Sequence, residues 1–252
     1  MTAALPAPPG VEMVDPGPGR VFRSERLVRL ADVDPSGRVR FDAVARYLQD
    51  VATDDVRDAG VEGAVAWVVR RTTIAAGRRP LYGERVELAT WCSGTGSALA
   101  ERRTSIRSEG GGHLETVSLW VSLERSSLRP VPLDGAHFDP YRESAGTRRV
   151  RARFLLPGPP EGDGAGRPWP LRHSDIDLFA HVNNVVAWTA AEGEAQRLAG
   201  GRRVVWGQVE YRRAIEPGET PLVIAAPLDG AVGVWLLGSD GAPAVSARLG
   251  VS

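Results

Sequence analysis

A twelve-residue stretch occurs twice in this sequence. VRLADVDPSGRV, Val28–Val39, is matched by LRHSDIDLFAHV, Leu171–Val182. Arg29, Asp32, Asp34 and Val39 recur as Arg172, Asp175, Asp177 and Val182; 172 − 29 and 177 − 34 both give 143. A repeat at one fixed offset predicts two units of one fold in a single chain. Length agrees, because 252 residues suffice for two domains of ordinary size, each with its own core.

Each copy is followed by a helical signal. In FDAVARYLQDVATDDV, from about Phe41, Val44, Tyr47, Leu48, Val51 and Ala52 fall at helical spacing. The second helix is expected to begin near Asn183. Its first turns are apolar nearly all round, through Val185, Val186, Ala187, Trp188, Ala190 and Ala191, and such a helix is buried on every side. Short β-rich runs follow in both halves: RVELATWCS and TVSLWVSLE, then RRVVWGQVEYRR, TPLVIAAP, VGVWLLG and PAVSARLGV. Each half therefore reads as a strand, a buried helix and several antiparallel strands. The predicted fold class is α+β: a tandem double hotdog, each half an antiparallel sheet wrapped around a central helix. The halves would lie side by side like a homodimer fused into one chain, and a homodimer of whole chains is compatible with that arrangement.

Proline and glycine set the boundaries. Residues 1–20 hold five prolines and no basic residue before Arg20, which predicts a disordered arm and no secretory leader. The first domain is expected over 21–132 and a linker over 133–168, with Pro140 and LLPGPPEGDGAGRP. The second domain takes 169–252. Cys92 is the only cysteine, so an internal disulfide is excluded; a reducing, cytoplasmic setting and a small core role for Cys92 are expected. No run of 18 apolar residues is present, so no membrane insertion is expected. The 31 basic residues are all arginine and balance 31 acidic ones, which points away from nucleic acid and from acidic membrane surfaces. The bias toward Arg, Ala, Gly, Val and Pro suggests a GC-rich bacterial source.

The segment RHSDIDLFAHVNNVVAW, Arg172–Trp188, carries a chemical pattern. Asp175, Asp177, His181, Val182, Asn183 and Asn184 follow the D-x-D-x-N-x-H-V-N-N order of the plant and bacterial acyl-[acyl carrier protein] thioesterases, and the chain resembles that family. YLQDVA, WVVRR, Thr90–Trp91, VSLW and Val209–Arg213 extend the resemblance over nearly all of the chain after residue 20. It implies hydrolysis of fatty acyl thioesters in fatty acid biosynthesis, with acyl carrier protein as partner and no metal or cofactor. It also implies that the first half binds the acyl chain. A thioester needs an activated water or a carboxylate nucleophile, then a place for the oxyanion. Asp177 is the expected nucleophile or base, and His181 the proton-transfer or orienting group. The start of the second helix, at Asn183 and Asn184, would hold the oxyanion, and donors of this kind contribute about 10²–10³ in rate. Asp175 is expected to bond loop amides. Thr147–Phe154, TRRVRARF, would steer an acidic carrier.

Two positions depart from the family pattern. Phe179 stands where the family has asparagine, and Ala214 where it has an acid after Y-R-R. Glu216 is a candidate substitute for the missing acid. Asp34, whose loop resembles that of 4-hydroxybenzoyl-CoA thioesterases, is the alternative carboxylate, although Arg38 stands where its partner loop has His181. The competing readings are an acyl-binding protein without turnover, an acyl-CoA thioesterase and a hotdog dehydratase.

Overall fold

The β-rich runs pair into one antiparallel sheet. The computed structural model describes residues 6–8, 12, 14–160 and 166–252. The first half contains β1 (Phe22–Leu27), α1 (Phe41–Asp58), β2 (Ala66–Ala76), β3 (Arg85–Thr95), β4 (Leu99–Ser108) and β5 (His113–Leu123). After a short helix, α2 (Arg142–Ala145), the same order returns: β6 (Arg167–Pro168), α3 (Val185–Leu198), β7 (Val204–Tyr211), β8 (Leu222–Leu228), β9 (Ala231–Leu237) and β10 (Pro243–Val251). Among the described residues the strand order is β1-β3-β4-β5-β2-β7-β10-β9-β8-β6. Read inward from either edge, the two halves have the same order, so an approximate twofold axis passes between β2 and β7. Those strands join the halves, with Arg71 opposite Glu210 and Ala75 opposite Trp206. The fold is α+β, a double hotdog.

α1 and α3 lie on one face of this sheet, against each other. α1 buries Phe41, Val44, Leu48 and Val51, and α3 buries Val185, Trp188, Ala191 and Ala195, in one core with Ile74, Val209 and Leu236. Trp188 meets Phe41 edge-on, with ring centroids 5.8 Å apart and planes at 90°. Such a pair adds about 0.5–1.5 kcal/mol beyond the area it buries. Gly207 on β7 makes room for it: a Cβ there would sit 2.7 Å from Trp188 Cζ3.

Residues 1–5, 9–11 and 13 of the expected arm, and 161–165 of the expected linker, lie outside the described residues. In the described part of the arm, the Glu12 carbonyl accepts from Arg103 Nη1 at 2.7 Å, and Arg20 Nε donates to Asp55 Oδ1 at 2.7 Å. Leu133, Phe138, Tyr141 and Ala145 form a second small core with Cys92 and Ala100. Burial pushes the Cys92 thiol up to about 11. The chain then crosses the outer face of the sheet. Val209 and Tyr211 face the helices, so Glu210 between them faces outward. Its carboxylate accepts the N–H groups of Leu155 at 2.7 Å and Leu156 at 3.2 Å. Phe154, ending the arginine-rich run, packs under the guanidiniums of Arg70 and Arg212 at 4.5 and 4.4 Å from its ring centroid.

Candidate active site

The repeated segments fold into the same loop, bond for bond. In the first, the Asp34 N–H donates to the Arg38 carbonyl at 2.8 Å and the Gly37 N–H to the Asp34 carbonyl at 2.8 Å. Asp34 Oδ1 accepts the N–H groups of Ser36 and Arg38 at 2.8 and 3.1 Å. In the second, the Asp177 N–H donates to the His181 carbonyl at 2.8 Å and the Ala180 N–H to the Asp177 carbonyl at 3.0 Å. Asp177 Oδ1 accepts the N–H groups of Phe179 and His181 at 2.9 and 3.2 Å. The earlier aspartates match too: Asp32 Oδ2 accepts the Arg29 N–H at 2.9 Å, and Asp175 Oδ2 the Arg172 N–H at 2.8 Å. Aspartate suits these places because its short carboxylate reaches backbone amides just ahead of it. The left-handed position is Gly37, φ +75°, in one loop and Ala180, φ +59°, in the other.

Asp177 thus has one oxygen engaged with its loop, while Oδ2 meets no donor among the described residues. His181 is exposed, and the hydrogen bonds linking it to Asp177 run through its backbone, not its ring. Phe179 is 64% exposed. Ala214 and Glu216 flank Ile215, whose carbonyl accepts the Val182 N–H at 3.4 Å, so both lie beside the second loop. The carboxylate fixed there is Glu219. Arg213 binds it twice at 2.8 Å and, with the Glu216 and Ser239 N–H groups, holds it well below the usual carboxylate range. Glu216 itself is exposed.

The loops match, but the helix N-termini they lead into differ. At α1 the first amide is capped from the other half: the Phe41 N–H donates to Glu192 Oε2 at 2.7 Å. Glu192 Oε1 accepts from Arg79 Nη1 at 2.7 Å, and both side chains are buried. Arg79 also donates to the Val204 carbonyl at 2.8 Å and lies 4.1 Å from the Phe41 ring centroid. The position related to Phe41 by the 143-residue offset is Asn184, and the one related to Glu192 is Gln49. At α3, therefore, a neutral amide stands where α1 meets a carboxylate. Gln49 Nε2 donates to Asn183 Oδ1 at 3.2 Å, and that oxygen caps the Val185 N–H at 3.0 Å. The Asn184 carbonyl accepts the Tyr211 hydroxyl at 3.1 Å. The Asn184 N–H has no acceptor among the described residues.

Two spaces meet at this point. A narrow void of about 20 Å³, room for one water-sized group, is lined by Leu48, Gln49, Val69, Trp120, Asn184 and Trp188, among others. A wide cleft of about 610 Å³, lined partly by Arg26, Arg29 and Arg46, reaches Asn183. Gln49 borders both. Gln49, Glu192 and Arg79 were not among the site residues expected from sequence. The offset that relates the loops also pairs Gln49 with Glu192, so a signal for two of them was present.

Residues 19–141 match the acyl-ACP thioesterase N-terminal domain. An uncharacterized protein of Mycobacterium tuberculosis is 30% identical over 213 residues, covering 83% of each chain. The chloroplastic palmitoyl-acyl carrier protein thioesterase of Arabidopsis thaliana is 26% identical over 220 residues, covering 77% of this chain and 52% of that protein. This chain therefore spans about half the length of its plant relative. In fold, an acyl-ACP thioesterase from Bacteroides thetaiotaomicron superposes with a TM-score of 0.77 over 92% of this chain and 98% of that one, at 15% identity. The chain belongs to the acyl-ACP thioesterase family, a family of thiolester hydrolases.

Proposed function

We propose that this protein hydrolyses fatty acyl thioesters carried on acyl carrier protein, releasing the fatty acid and the thiol, at the N-terminus of α3. The supporting observation is the contrast between the helix starts. The Phe41 N–H is occupied by a buried carboxylate, and the Asn184 N–H is open beside a void. An unpaired amide at the positive end of a helix dipole is suited to a developing oxyanion, where a carboxylate would repel it. Asp177, through its free oxygen, activates water or attacks the carbonyl, and His181 transfers or orients the proton. Asn183 and Gln49 hold the helix start in place. Glu216, beside the loop, is the remaining acid that can assist, in place of Ala214. Asp34 belongs to the half whose helix is capped and is not the reacting carboxylate. The reaction needs no cofactor and takes place in the cytoplasm during fatty acid biosynthesis; assembly as a homodimer is compatible with it.

A second reading, an acyl-binding protein without turnover, draws on Phe179 and Ala214, neither of which can move a proton. A panel of acyl-carrier and acyl-CoA thioesters of graded chain length, with free thiol followed over time, decides between them. Turnover with carrier-bound substrates is the expected result. Saturable binding with no thiol release from any substrate would establish the second reading.

A further inference from the structure

If the thioester carbonyl sits at Asn184, the acyl chain and the thiol arm must leave it in different directions. The narrow void between the helices and the sheet is walled largely by apolar groups, among them Leu48, Val69, Val185 and Trp188. The open cleft on the other side of Gln49 is charged. Arg26 donates to Asp50 Oδ2 at 2.9 Å and stacks 4.3 Å from the Tyr47 ring centroid. Arg46 bonds Asp32 Oδ1 and Asp42 Oδ2, each at 3.0 Å. The guanidinium of Arg29 is exposed and has no carboxylate partner among the described residues. Burial pushes the Asp32 carboxyl up, but hydrogen bonds from the Arg29 N–H, Tyr47 and Arg46 outweigh this and hold it below its usual range. Asp32, which holds Arg46, is therefore ionised, and the Arg29 guanidinium is left without an acid among the described residues.

This charge is built on one side of the approximate twofold only. The 143-residue offset relates Arg26 to Trp169 and Arg46 to Thr189; Arg29 alone keeps an arginine, Arg172. The arginine-rich wall borders the open helix start and is not repeated beside the capped one. An anion on a substrate that reacts at α3 would meet it.

We propose that this cleft is a subsite for the phosphate ester at the far end of a pantetheine thiol arm, with Arg29 as its principal ligand and Arg26 and Arg46 beside it. The assignment rests on the hydrolytic reading above. The arm enters past Gln49, its sulfur reaches Asn184, and the phosphate stays in the cleft. Arginine suits the task because its planar fork donates two hydrogen bonds to phosphate oxygens.

The test compares thioesters of one acyl chain on pantetheine, on 4′-phosphopantetheine, on coenzyme A and on acyl carrier protein. For wild type, kcat/KM should be about fivefold higher with phosphopantetheine than with pantetheine, a size set by an exposed charge-assisted pair. In Arg29→Ala, and more so in the Arg26→Ala/Arg29→Ala double variant, that ratio should fall toward one, mainly through KM. Arg29→Lys should restore part of it. Calorimetry with free 4′-phosphopantetheine and pantetheine reads the same preference without catalysis. Equal kcat/KM for the two arms in wild type would overturn the subsite and leave the hydrolytic reading intact. A loss confined to the coenzyme A ester would assign the arginines to its nucleotide end and overturn the proposal as well. Absence of all turnover, with phosphopantetheine still bound more tightly than pantetheine in an Arg29-dependent way, would keep the subsite and overturn the hydrolytic reading.

Discussion

Asp177 and Asp34 make the same backbone hydrogen bonds, so their bonding alone does not say which one reacts. The D-x-D pattern was legible in the sequence. The duty of Asp177 Oδ1, holding two loop amides, was not, because it depends on how the loop closes. What distinguishes the two helix starts is supplied by residues far away in sequence. Glu192 reaches α1 from the other half, and Gln49 stands in the matching place at α3. This contrast leads to a direct expectation. Gln49→Glu places a carboxylate where the α3 N-terminus can bind it, as Glu192 binds α1, and should lower kcat/KM by tenfold or more; Gln49→Ala should cost less. The pair of variants, assayed for thiol release, separates occlusion of the helix start from simple loss of an amide. His181→Ala should lower kcat by about 10²-fold if the ring transfers a proton, with circular dichroism to verify folding. Phe179→Asn restores the amide of the family pattern and should raise the rate.

At the level of elements, the 143-residue repeat carried most of the information. It marked the start of both helices, and the β-rich runs marked β3, β5 and β7 to β10, because local pattern and tertiary fold agree there; β2 and β4, whose arginines and threonines break the apolar pattern, were not marked. It did not locate the ion pair of Arg79 and Glu192. Glu192 interrupts the apolar surface of α3, and its partner lies on the turn after β2, so the pairing is visible only once the halves are docked. Burial makes this pair a keystone between α1 and α3. Glu192→Ala leaves a buried, unpaired arginine and an uncapped Phe41 N–H, and should cost about 3–5 kcal/mol in urea unfolding. Glu192→Gln keeps an acceptor for the amide and should cost less. If Glu192→Ala unfolded at the wild-type midpoint, the cap would have no energetic role.

At the scale of the described molecule, one continuous sheet bears the long helices α1 and α3, with one helix start closed and the other open. The doubling of the hotdog was legible from the repeat, whereas the difference between the two ends came from side chains that pass between the halves. Its stability should depend on acid. Asp32 and Glu219 both have folded-state values held below their ordinary ones, for Glu219 chiefly by Arg213. The folded state then binds fewer protons than the unfolded chain in that range. The stabilisation is complete above about pH 4–5 and is lost as pH falls through the lower, folded-state values. Urea midpoints measured from pH 7 down to pH 3 should therefore decline below about pH 4, and Arg213→Ala should flatten that decline.

The central claim is that chemistry occurs at the second helix start and not at its sealed counterpart, and the comparison of Asp177→Asn with Asp34→Asn tests it most directly. Asparagine keeps the Oδ1 acceptor that each loop requires, so both variants should fold while losing the charge. With kcat/KM measured on one acyl-carrier thioester, Asp177→Asn should lose most of the activity and Asp34→Asn should retain most of it. An inactive Asp34→Asn beside an active Asp177→Asn would contradict the assignment and place the reaction at the end of the molecule that Glu192 closes.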